Sequence, residues 1–454
     1  MKSYDLVVLG GGPGGYVAAI KAAQNNLKVA LIEKDVVGGI CLNHGCIPTK
    51  AILKSTKTYD LFKNAKSYGI NVEKDAFSFD LTSIIRRKDG IVRRLTTGVK
   101  MLLKKNGVDV YNGYGEVLNK NEVSVNDETI RGDNLIIATG GTAIIPPIPG
   151  AKEAYKSGFA VTSMELLNVT DLPKKLTIIG GGVIGVEFAT IFNSLGSEVT
   201  IIEMQETIVS AMDEEIIDEY SKILKKSGVK VITGGEVKKV SSNSIVYSYK
   251  NEEKELPADL VLLAVGIRPN IDSFKKINLK MAGSGVEVNE RLQTSLENVY
   301  AIGDVTGKHM LAHVASAEGI VAVENILGTK TKINYNQIPA AIYGSPEIAT
   351  IGMTEKEAQN QNLKYTVSKF PLLANGKALA DGDSTGFIKI IKGLELDEIL
   401  GAHILAYNAV DLISEIAVAM RLESTNKEVA STIHPHPSLS EIIMEAAMDK
   451  PINF

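Results

Sequence analysis

Two copies of one glycine-rich unit constrain this chain more than any other feature of its sequence. In each copy an apolar strand runs into the pattern G-x-G-x-x-G, a helical stretch follows, and a second strand ends at a glutamate. The first copy runs from Gly10 to Glu33, and the second repeats it 170 positions later, from Gly180 to Glu203. Because a strand, a glycine turn and a helix in this order bind dinucleotides, the repeat predicts an α/β chain with two Rossmann-like domains.

The residues of each unit have separate tasks. The first glycine allows a tight turn, the second lets the backbone approach a pyrophosphate, and the third lets helix and strand pack closely. The helix N-terminus offers free N–H groups to the phosphates, and the closing glutamate binds a ribose hydroxyl. These positions are Gly10, Gly12, Gly15 and Glu33 in the first unit and Gly180, Gly182, Gly185 and Glu203 in the second.

Glu203 also indicates which nicotinamide nucleotide the second unit takes. Its carboxylate would repel a 2′-phosphate, and residues 204–209 contain no Arg or Lys to pair with one. The sequence therefore predicts NAD rather than NADP, unless Glu203 is only a solvated strand end.

Both cysteines of the chain, Cys41 and Cys46, lie in one Gly-rich segment. Three interpretations are open: a redox-active disulfide, part of a metal site, and two inert core thiols. A zinc site needs three or four ligands, and only His44 lies nearby. Inert core thiols have no reason to fall in a segment with several glycines and Pro48, so the sequence favours the redox pair.

The spacing of the cysteines adds a geometric prediction. Residues five apart in a regular helix are separated by roughly 7.5 Å of rise, beyond the ~7 Å between Cα atoms that a disulfide tolerates. The backbone must therefore be irregular between Cys41 and Cys46, and Gly45 and Pro48 permit this. A helix that begins near Pro48 lowers the pKa of the Cys46 thiol at its N-terminus.

The cysteine pair belongs to the first unit. Gly140 follows Gly10 by 130 positions, whereas Gly266 follows Gly180 by 86, and the 44 additional residues of the first unit begin near the cysteines. The dinucleotide of the first unit must therefore exchange electrons with the pair, which fits a flavin, and the second unit takes the nicotinamide.

The composition limits which classes of partner and which cellular location are expected for this chain. Lys and Arg total 49 against 53 Asp and Glu, with no long block of one sign, which argues against nucleic acid or an anionic membrane as the main partner. No run of 18 apolar residues is present, so no membrane span is expected. The first strand begins at Tyr4, which leaves no room for a leader peptide, and a catalytic dithiol suits a reducing cytoplasm.

Two motifs resemble the signatures of the flavin-dependent pyridine nucleotide-disulfide oxidoreductases. They are Cys-x4-Cys-Ile-Pro-Thr-Lys at 41–50 and His-Pro-Ser-Leu-Ser-Glu at 436–441. The resemblance implies that Cys41 is the interchange thiol facing the substrate and that Cys46 lies against the flavin. It also implies that His436 is the acid/base and that Glu441 is its partner. From the residues alone, a polar loop is the simpler interpretation of His434 and His436.

The same resemblance implies contacts with non-covalently bound FAD and with NAD. Lys50 would lie near the reactive edge of the flavin and pair with Glu187. Glu187 is also expected to be part of the NAD site. Asp304 would bind the ribityl chain, unless it is an ordinary helix cap. The other implied residues are Gly115, Thr139, Gly140 and Ala312 for FAD and Gly266 for NAD. His44 stands where relatives usually have an apolar residue, so it could alter the disulfide's potential.

The predicted organisation has four parts. They are an FAD-binding domain at 1–145, an NAD-binding domain at 146–268, a central segment at 269–335 that returns to the FAD domain, and a C-terminal α+β interface domain at 336–454. The resemblance implies a homodimer in which each histidine serves the disulfide of the opposite subunit.

Within the family, the motif variants and the NAD preference most resemble the enzymes that oxidise protein-bound dihydrolipoyl groups with NAD. The implied partner is a lipoyl-bearing protein of a 2-oxoacid dehydrogenase or glycine-cleavage complex. Two alternatives stay open. One is another disulfide reductase of the glutathione-reductase type, which would be expected to use NADP, and the other is a flavoprotein without turnover.

Overall fold

The first glycine unit lies at the centre of a mixed sheet. In the computed structural model, which describes residues 1–73 and 77–448, strand Lys2–Leu9 pairs in parallel with Val29–Glu33 and with Glu128–Ile137. The strands of this sheet are, in order, Asp109–Asn112, Val29–Glu33, Lys2–Leu9, Glu128–Ile137, Glu122–Val125 and Glu116–Asn119. The central parallel strands are buried on both faces, which is why they read in the sequence as continuous apolar runs.

The chain returns to this sheet much later. Strand Val299–Ala301 pairs in parallel with Glu128–Ile137, and the 3₁₀ helix Gly303–Thr306 follows it. Helix Ala312–Ile326 then packs against helix Pro13–Gln24 of the first glycine unit. The segment after Val299–Ala301 is thereby placed at the edge where the strands of the first unit end.

The second glycine unit forms a separate parallel sheet. Its strands are, in order, Lys230–Thr233, Glu198–Glu203, Lys175–Ile179, Leu260–Leu263 and Ala160–Val161. Helix Val183–Leu195 connects two of these strands just as Pro13–Gln24 does in the first sheet. The predicted α/β fold with two Rossmann-like units is confirmed.

Several antiparallel additions were not predicted. They are the sheet Glu236–Val240, Ser244–Tyr249 and Glu252–Pro257, the pairing of Glu116–Asn119 with Glu122–Val125, and the ribbons Gly141–Ala143 with Ile267–Pro269 and Met281–Ala282 with Gly285–Val286. The ribbon formed by Gly141–Ala143 and Ile267–Pro269 lies directly after the closing strands of the two units.

The C-terminal region folds into an antiparallel sheet covered by helices. Its strands are, in order, Ala340–Ile342, Glu347–Gly352, Ile399–Ala406, Phe387–Gly393 and Tyr365–Pro371. Helices Ala409–Arg421 and Glu441–Ala447 pack on this sheet through buried apolar residues such as Ile416 and Ile443. The predicted α+β character of this region is confirmed.

The remaining helical segments connect these sheets. The α-helices are Gly39–His44, Cys46–Lys63, Leu81–Lys105, Ala151–Ser157, Ser163–Leu166, Glu214–Lys226, Glu355–Asn360, Gly376–Asp381 and Asn426–Ser431, and the 3₁₀ turns are Ala65–Tyr68, Asp272–Phe274, Tyr335–Gln337 and Leu372–Ala374. In residues 1–73 and 77–448, no helix combines the length and the apolar character that crossing a membrane requires.

A buried ion cluster connects the second unit to the C-terminal sheet. The Lys389 side chain is 1% exposed, and its Nζ lies 3.0 Å from Asp213 Oδ1, 3.0 Å from Glu215 Oε1 and 2.7 Å from Glu355 Oε2. Asp213 is the N-cap of helix Glu214–Lys226, so the cluster fixes that helix against the sheet.

Replacing Lys389 by methionine should destabilise the fold. The variant leaves the Asp213 carboxylate, whose side chain is 1% exposed, buried without its cation, and breaking such a buried pair costs about 3–5 kcal/mol. Thermal unfolding measures the effect. Lys356→Met is the control, because Lys356 and Glu214 are 67% and 68% exposed and such a pair is worth ~0–1 kcal/mol. Equal unfolding temperatures for the two variants would contradict a stabilising cluster.

Candidate functional site

The first glycine of each unit makes the tight turn that the spacing predicts. Gly10 has φ +109° and Gly180 has φ +108°. A Cβ on Gly10 would lie 2.2 Å from the Ala138 carbonyl oxygen, and one on Gly180 would lie 2.4 Å from that of Ala264. Both the backbone conformation and the close approach of the neighbouring strand therefore require glycine.

The other two glycines of each motif have different surroundings. A Cβ on Gly15 would lie 1.8 Å from the Gly10 carbonyl oxygen, so the third glycine packs against its own turn, as Gly185 does in the second unit. Among the described residues, a Cβ on Gly182 meets no heavy atom within 4 Å, and the nearest atom to one on Gly12 is 3.9 Å away. The open space at the second glycine fits the approach of a pyrophosphate.

The closing glutamates brace these glycine turns. Glu33 accepts hydrogen bonds from the N–H groups of Gly11 and Asp35 at 2.7 and 2.9 Å. Glu203 is held by the two equivalent N–H groups of the second unit, at 2.6 and 2.7 Å. A carboxylate offers about four acceptor positions, so each can still take a ribose hydroxyl. The motif predicts the ribose contact, but it carries no signal for these hydrogen bonds to the turn.

The cysteine segment is irregular where the disulfide geometry required it. Helix Gly39–His44 ends at Gly45, and helix Cys46–Lys63 begins at the next residue. Cys41 thus lies in the short first helix, and Cys46 occupies the first turn of the second, which starts slightly earlier than predicted. Both residues are free thiols, and their side chains are hydrogen-bonded to each other.

The surroundings of the two thiols shift their pKa values in opposite directions. The hydrogen bond from the Cys41 thiol has the largest influence on Cys46, and together with the Lys50 ammonium it outweighs burial and lowers the pKa of Cys46 to about 7. The same hydrogen bond, together with burial, raises the pKa of Cys41. Cys46 is therefore the more readily ionised thiol of the pair, and the Cys41 thiol and the Lys50 ammonium are what lower its pKa.

In the reduced protein, the thiolate should titrate near neutrality. Protonation removes the charge, so the ultraviolet thiolate absorbance should disappear as the pH falls through about 7. Lys50→Met should move this midpoint to higher pH, because the ammonium no longer stabilises the thiolate. Cys46→Ser is the control and should abolish the titration. A step near pH 7 that persists in Cys46→Ser would contradict the assignment.

Lys50 is held by two distant parts of the chain. Its Nζ lies 2.9 and 2.8 Å from the two carboxylate oxygens of Glu187, which forms the predicted pair. Glu187 also accepts the Tyr343 N–H at 2.9 Å, and the Lys50 ammonium lies 4.4 Å from the centre of the Tyr343 ring. Tyr343 was missed because nothing in the sequence connects it to Glu187, 156 residues away.

The residues after the closing strands lie where the two units meet. Thr139 Oγ1 donates to the Asn270 carbonyl oxygen at 2.7 Å, and the Asn270 side chain donates to the Thr139 carbonyl oxygen at 3.0 Å. Gly140 and Gly266 have φ +68° and +117° and flank the ribbon between the units. Asn270 belongs to no motif, so nothing in the sequence pointed to this contact.

The other predicted flavin residues lie around the end of the first sheet. Asp304 is in the 3₁₀ helix Gly303–Thr306, and burial raises the pKa of its carboxyl. Because burial destabilises the ionised carboxylate, hydrogen bonds from hydroxyl groups would stabilise it, and a ribityl chain has such hydroxyl groups. Ala312 begins a helix. Gly115 is buried, and a Cβ there would lie 2.5 Å from Leu9 Cδ1, so packing alone explains this glycine.

The predicted base and its partner are in contact. His436 Nδ1 lies 2.9 Å from Glu441 Oε1, and the other oxygen of Glu441 accepts the Ser438 N–H at 2.8 Å. Burial raises the pKa of Glu441, but the hydrogen bonds from Ser438 and His436 outweigh it and lower that pKa overall. The ionised carboxylate therefore orients the imidazole, whose side chain is 80% exposed.

The other histidines near these motifs have different partners. His434 Nε2 lies 2.6 Å from Glu415 Oε1, and the His434 side chain is 5% exposed. His44 Nε2 lies 3.6 Å from Asp35 Oδ2, and the main influences on the pKa of Cys46 are the Cys41 hydrogen bond, burial and the Lys50 ammonium rather than His44. No described contact joins His436 to a cysteine of the same chain.

Comparison with known families agrees with this geometry. Residues 4–319 match the family described as pyridine nucleotide-disulphide oxidoreductase, and residues 338–447 match its dimerisation domain. The chain belongs to the pyridine nucleotide-disulphide oxidoreductases. The resemblance stated from the motifs is confirmed. Membership implies FAD and a nicotinamide dinucleotide as cofactors, and the dimerisation domain supports a homodimer.

Relatives within the pyridine nucleotide-disulphide oxidoreductases match nearly the whole chain. The dihydrolipoyl dehydrogenase of Bacillus subtilis is 41% identical over 467 aligned positions, covering 98% of this chain and 97% of the relative. The protein of that name from Mycoplasma genitalium is 39% identical over 445 positions, covering 97% of each. Among solved structures, LpdA from Mycobacterium tuberculosis has a TM-score of 0.90 at 26% identity, covering 98% of this chain and 99% of that one.

Proposed function

We propose that this chain is a dihydrolipoyl dehydrogenase, which oxidises protein-bound dihydrolipoyl groups with NAD through a cysteine pair and FAD. The observation that carries the proposal is the pair of free thiols, Cys41 and Cys46, on two helices that meet at Gly45, in a segment whose Lys50 is paired with Glu187 of the second unit. Curated relatives with this name at 39–41% identity over nearly the full chain support it. The partner would be a lipoyl-bearing protein of a 2-oxoacid dehydrogenase or glycine-cleavage complex.

The first unit fits FAD. Gly12 leaves room for a pyrophosphate, Glu33 can accept a ribose hydroxyl, and Asp304 can accept ribityl hydroxyls. When bound, FAD supplies the two-electron path between a dithiol and a nicotinamide. The other residues proposed to hold it are Gly10, Gly15, Lys50, Gly115, Thr139, Gly140 and Ala312.

The second unit fits NAD in the same way. Gly182 leaves open space for a pyrophosphate, and Glu203 can accept ribose hydroxyls. The other residues proposed for this site are Gly180, Gly185, Glu187 and Gly266.

The predicted domain boundaries and the cytoplasmic location stay predictions.

Thiol exchange is the step that the chain's own cysteines perform. A substrate thiolate attacks the Cys41 sulfur of the oxidised pair, and the Cys41–Cys46 bond breaks as Cys46 leaves. The lowered pKa of Cys46 makes it a good leaving group. The second substrate thiol, once deprotonated, attacks the substrate sulfur bonded to Cys41. The lipoyl disulfide is released, and one enzyme disulfide has become a dithiol.

His436 of the partner subunit is proposed to take the proton of the substrate thiol. Glu441 orients its imidazole through Nδ1 at 2.9 Å, which leaves the other ring nitrogen for the proton transfer. Two observations support a role across the dimer. The His436 side chain is largely exposed in the single chain, and residues 338–447 match a dimerisation domain.

The direct test is NAD reduction by dihydrolipoamide with the purified protein, beside NADPH oxidation by glutathione disulfide. Turnover in the first assay alone would support the proposal. Turnover in the second alone would favour the glutathione-reductase alternative. If FAD is bound and both cysteines are intact, but neither assay shows turnover, the proposed substrate is wrong.

The second unit should discriminate strongly against NADPH. Glu203 is the proposed acceptor for the ribose hydroxyls, and repulsion between its carboxylate and a 2′-phosphate would be worth several kcal/mol at short range. We expect kcat/KM for NADH to exceed that for NADPH by at least about 100-fold in lipoamide reduction, and Glu203→Gln to narrow the ratio about tenfold. Glu206→Gln, which neutralises a carboxylate on the same loop, is the control. An unchanged ratio in Glu203→Gln would contradict the assignment.

A further inference from the structure

The turn that carries Asp304 is held from behind by a buried carboxylate. Glu318 lies in helix Ala312–Ile326, and it is 1% exposed. Its Oε2 accepts the N–H of Gly303 at 2.5 Å. Gly303 directly precedes Asp304 and has φ +69°. The Glu318 side chain therefore determines where the backbone turns just before the proposed ribityl-binding residue.

Glu318 has a second partner from a distant segment. Its Oε1 accepts the hydroxyl of Tyr335 at 2.7 Å. Burial is the largest influence on Glu318 and raises its pKa, although both hydrogen bonds act in the opposite direction. A buried carboxylate that two donors satisfy is costly to disturb, because losing the acceptor leaves a buried N–H and a hydroxyl without partners.

Tyr335 extends the same contact to the next stretch of chain. Its ring stacks on His309, with the centres 4.7 Å apart and the planes 14° apart. His309 lies between the Asp304 turn and Ala312, the other residue proposed to contact the flavin. Glu318 and Tyr335 thus contact the segment 303–312 at two points, the Gly303 N–H and the His309 ring.

We propose that Glu318 is a positioning residue for FAD binding, which places the Gly303–Asp304 turn directly and the His309–Ala312 stretch through Tyr335. The inference rests on the proposed flavin site, because it concerns how tightly that site holds its cofactor. Neither Glu318 nor Tyr335 needs to touch FAD for this effect.

The test is the rate at which FAD leaves the purified holoenzyme, followed by the rise of flavin fluorescence on dilution. Glu318→Leu removes both acceptors at similar volume, and we expect FAD release at least about tenfold faster. Glu318→Gln keeps one acceptor oxygen, so FAD release should be only about threefold faster than in the wild type. Glu324→Leu, in the same helix but paired with Lys21 at 3.8 Å, is the control and should release FAD at the wild-type rate.

The outcomes separate this inference from the proposed function. A merely structural role would lower the unfolding temperature of Glu318→Leu while FAD release from the folded protein stayed at the wild-type rate, and that result would overturn the inference. If Glu318→Leu does not fold, Tyr335→Phe decides: release about threefold faster supports the inference, and an unchanged rate overturns it. A wild-type protein that binds no FAD would overturn the proposed function itself.

Discussion

Replacing Cys46 by serine should abolish NAD reduction by dihydrolipoamide, by at least about 10⁴-fold, while FAD stays bound. In the proposed mechanism, electrons from the substrate pass through a disulfide between Cys41 and Cys46, and serine cannot form one. The Cys46 thiol, whose pKa is lowered to about 7 by the Cys41 hydrogen bond and the Lys50 ammonium, is lost as well. Serine has nearly the same volume as cysteine, so the helix that begins at this position should be preserved.

Two measurements make this prediction specific. The flavin-to-protein ratio should equal that of the wild type, which separates a chemical loss from a structural one. Cys41→Ser is the matched control: it should also lose turnover but retain a thiolate titration, because Cys46 still faces the Lys50 ammonium. Turnover by Cys46→Ser above a few per cent of the wild-type rate would remove the proposed role of the pair, and loss of FAD would show that Cys46 is needed for binding.

The features that sequence could predict were those set by short-range geometry. The G-x-G-x-x-G spacing determines a strand, a turn and a helix within about 25 residues, and only glycine satisfies φ near +109° with a carbonyl oxygen pressed against Cα. The reach of a disulfide likewise required a break between Cys41 and Cys46, and the break occurs at Gly45. In both cases covalent geometry leaves few alternatives.

Contacts between distant segments could not be predicted in this way. The Lys50–Glu187 pair was expected from the family resemblance, not from any periodicity. Tyr343, Asn270 and Glu318 belong to no motif, and each acts through a backbone group or a ring that the fold brings close. The antiparallel sheet at 236–257 was missed because its two outer strands, Glu236–Val240 and Glu252–Pro257, are largely exposed and lack a continuous apolar run. Such contacts depend on the packing of whole units, which local pattern does not encode.

Replacing His436 by glutamine should slow turnover by about 10²–10⁴-fold, the range that a positioned general base contributes. Glutamine keeps a polar side chain of similar length, but it cannot accept the proton of the substrate thiol. His434→Gln is the control, because His434 is engaged by Glu415 at 2.6 Å and its side chain is 5% exposed. A His436→Gln enzyme with near-normal turnover would remove the proposed base.

A mixture of two inactive variants can show where His436 acts. If each disulfide uses the histidine of the partner subunit, a dimer of one Cys46→Ser chain and one His436→Gln chain contains one intact site and one site that lacks both groups. Random reassortment of equal amounts makes half of the dimers mixed, so activity should recover to about a quarter of the wild-type value. If His436 acted within its own chain, neither site of the mixed dimer would be complete and no activity would return. The exposed imidazole beside an ionised Glu441 and the lack of any described contact between His436 and the cysteines of its own chain favour recovery.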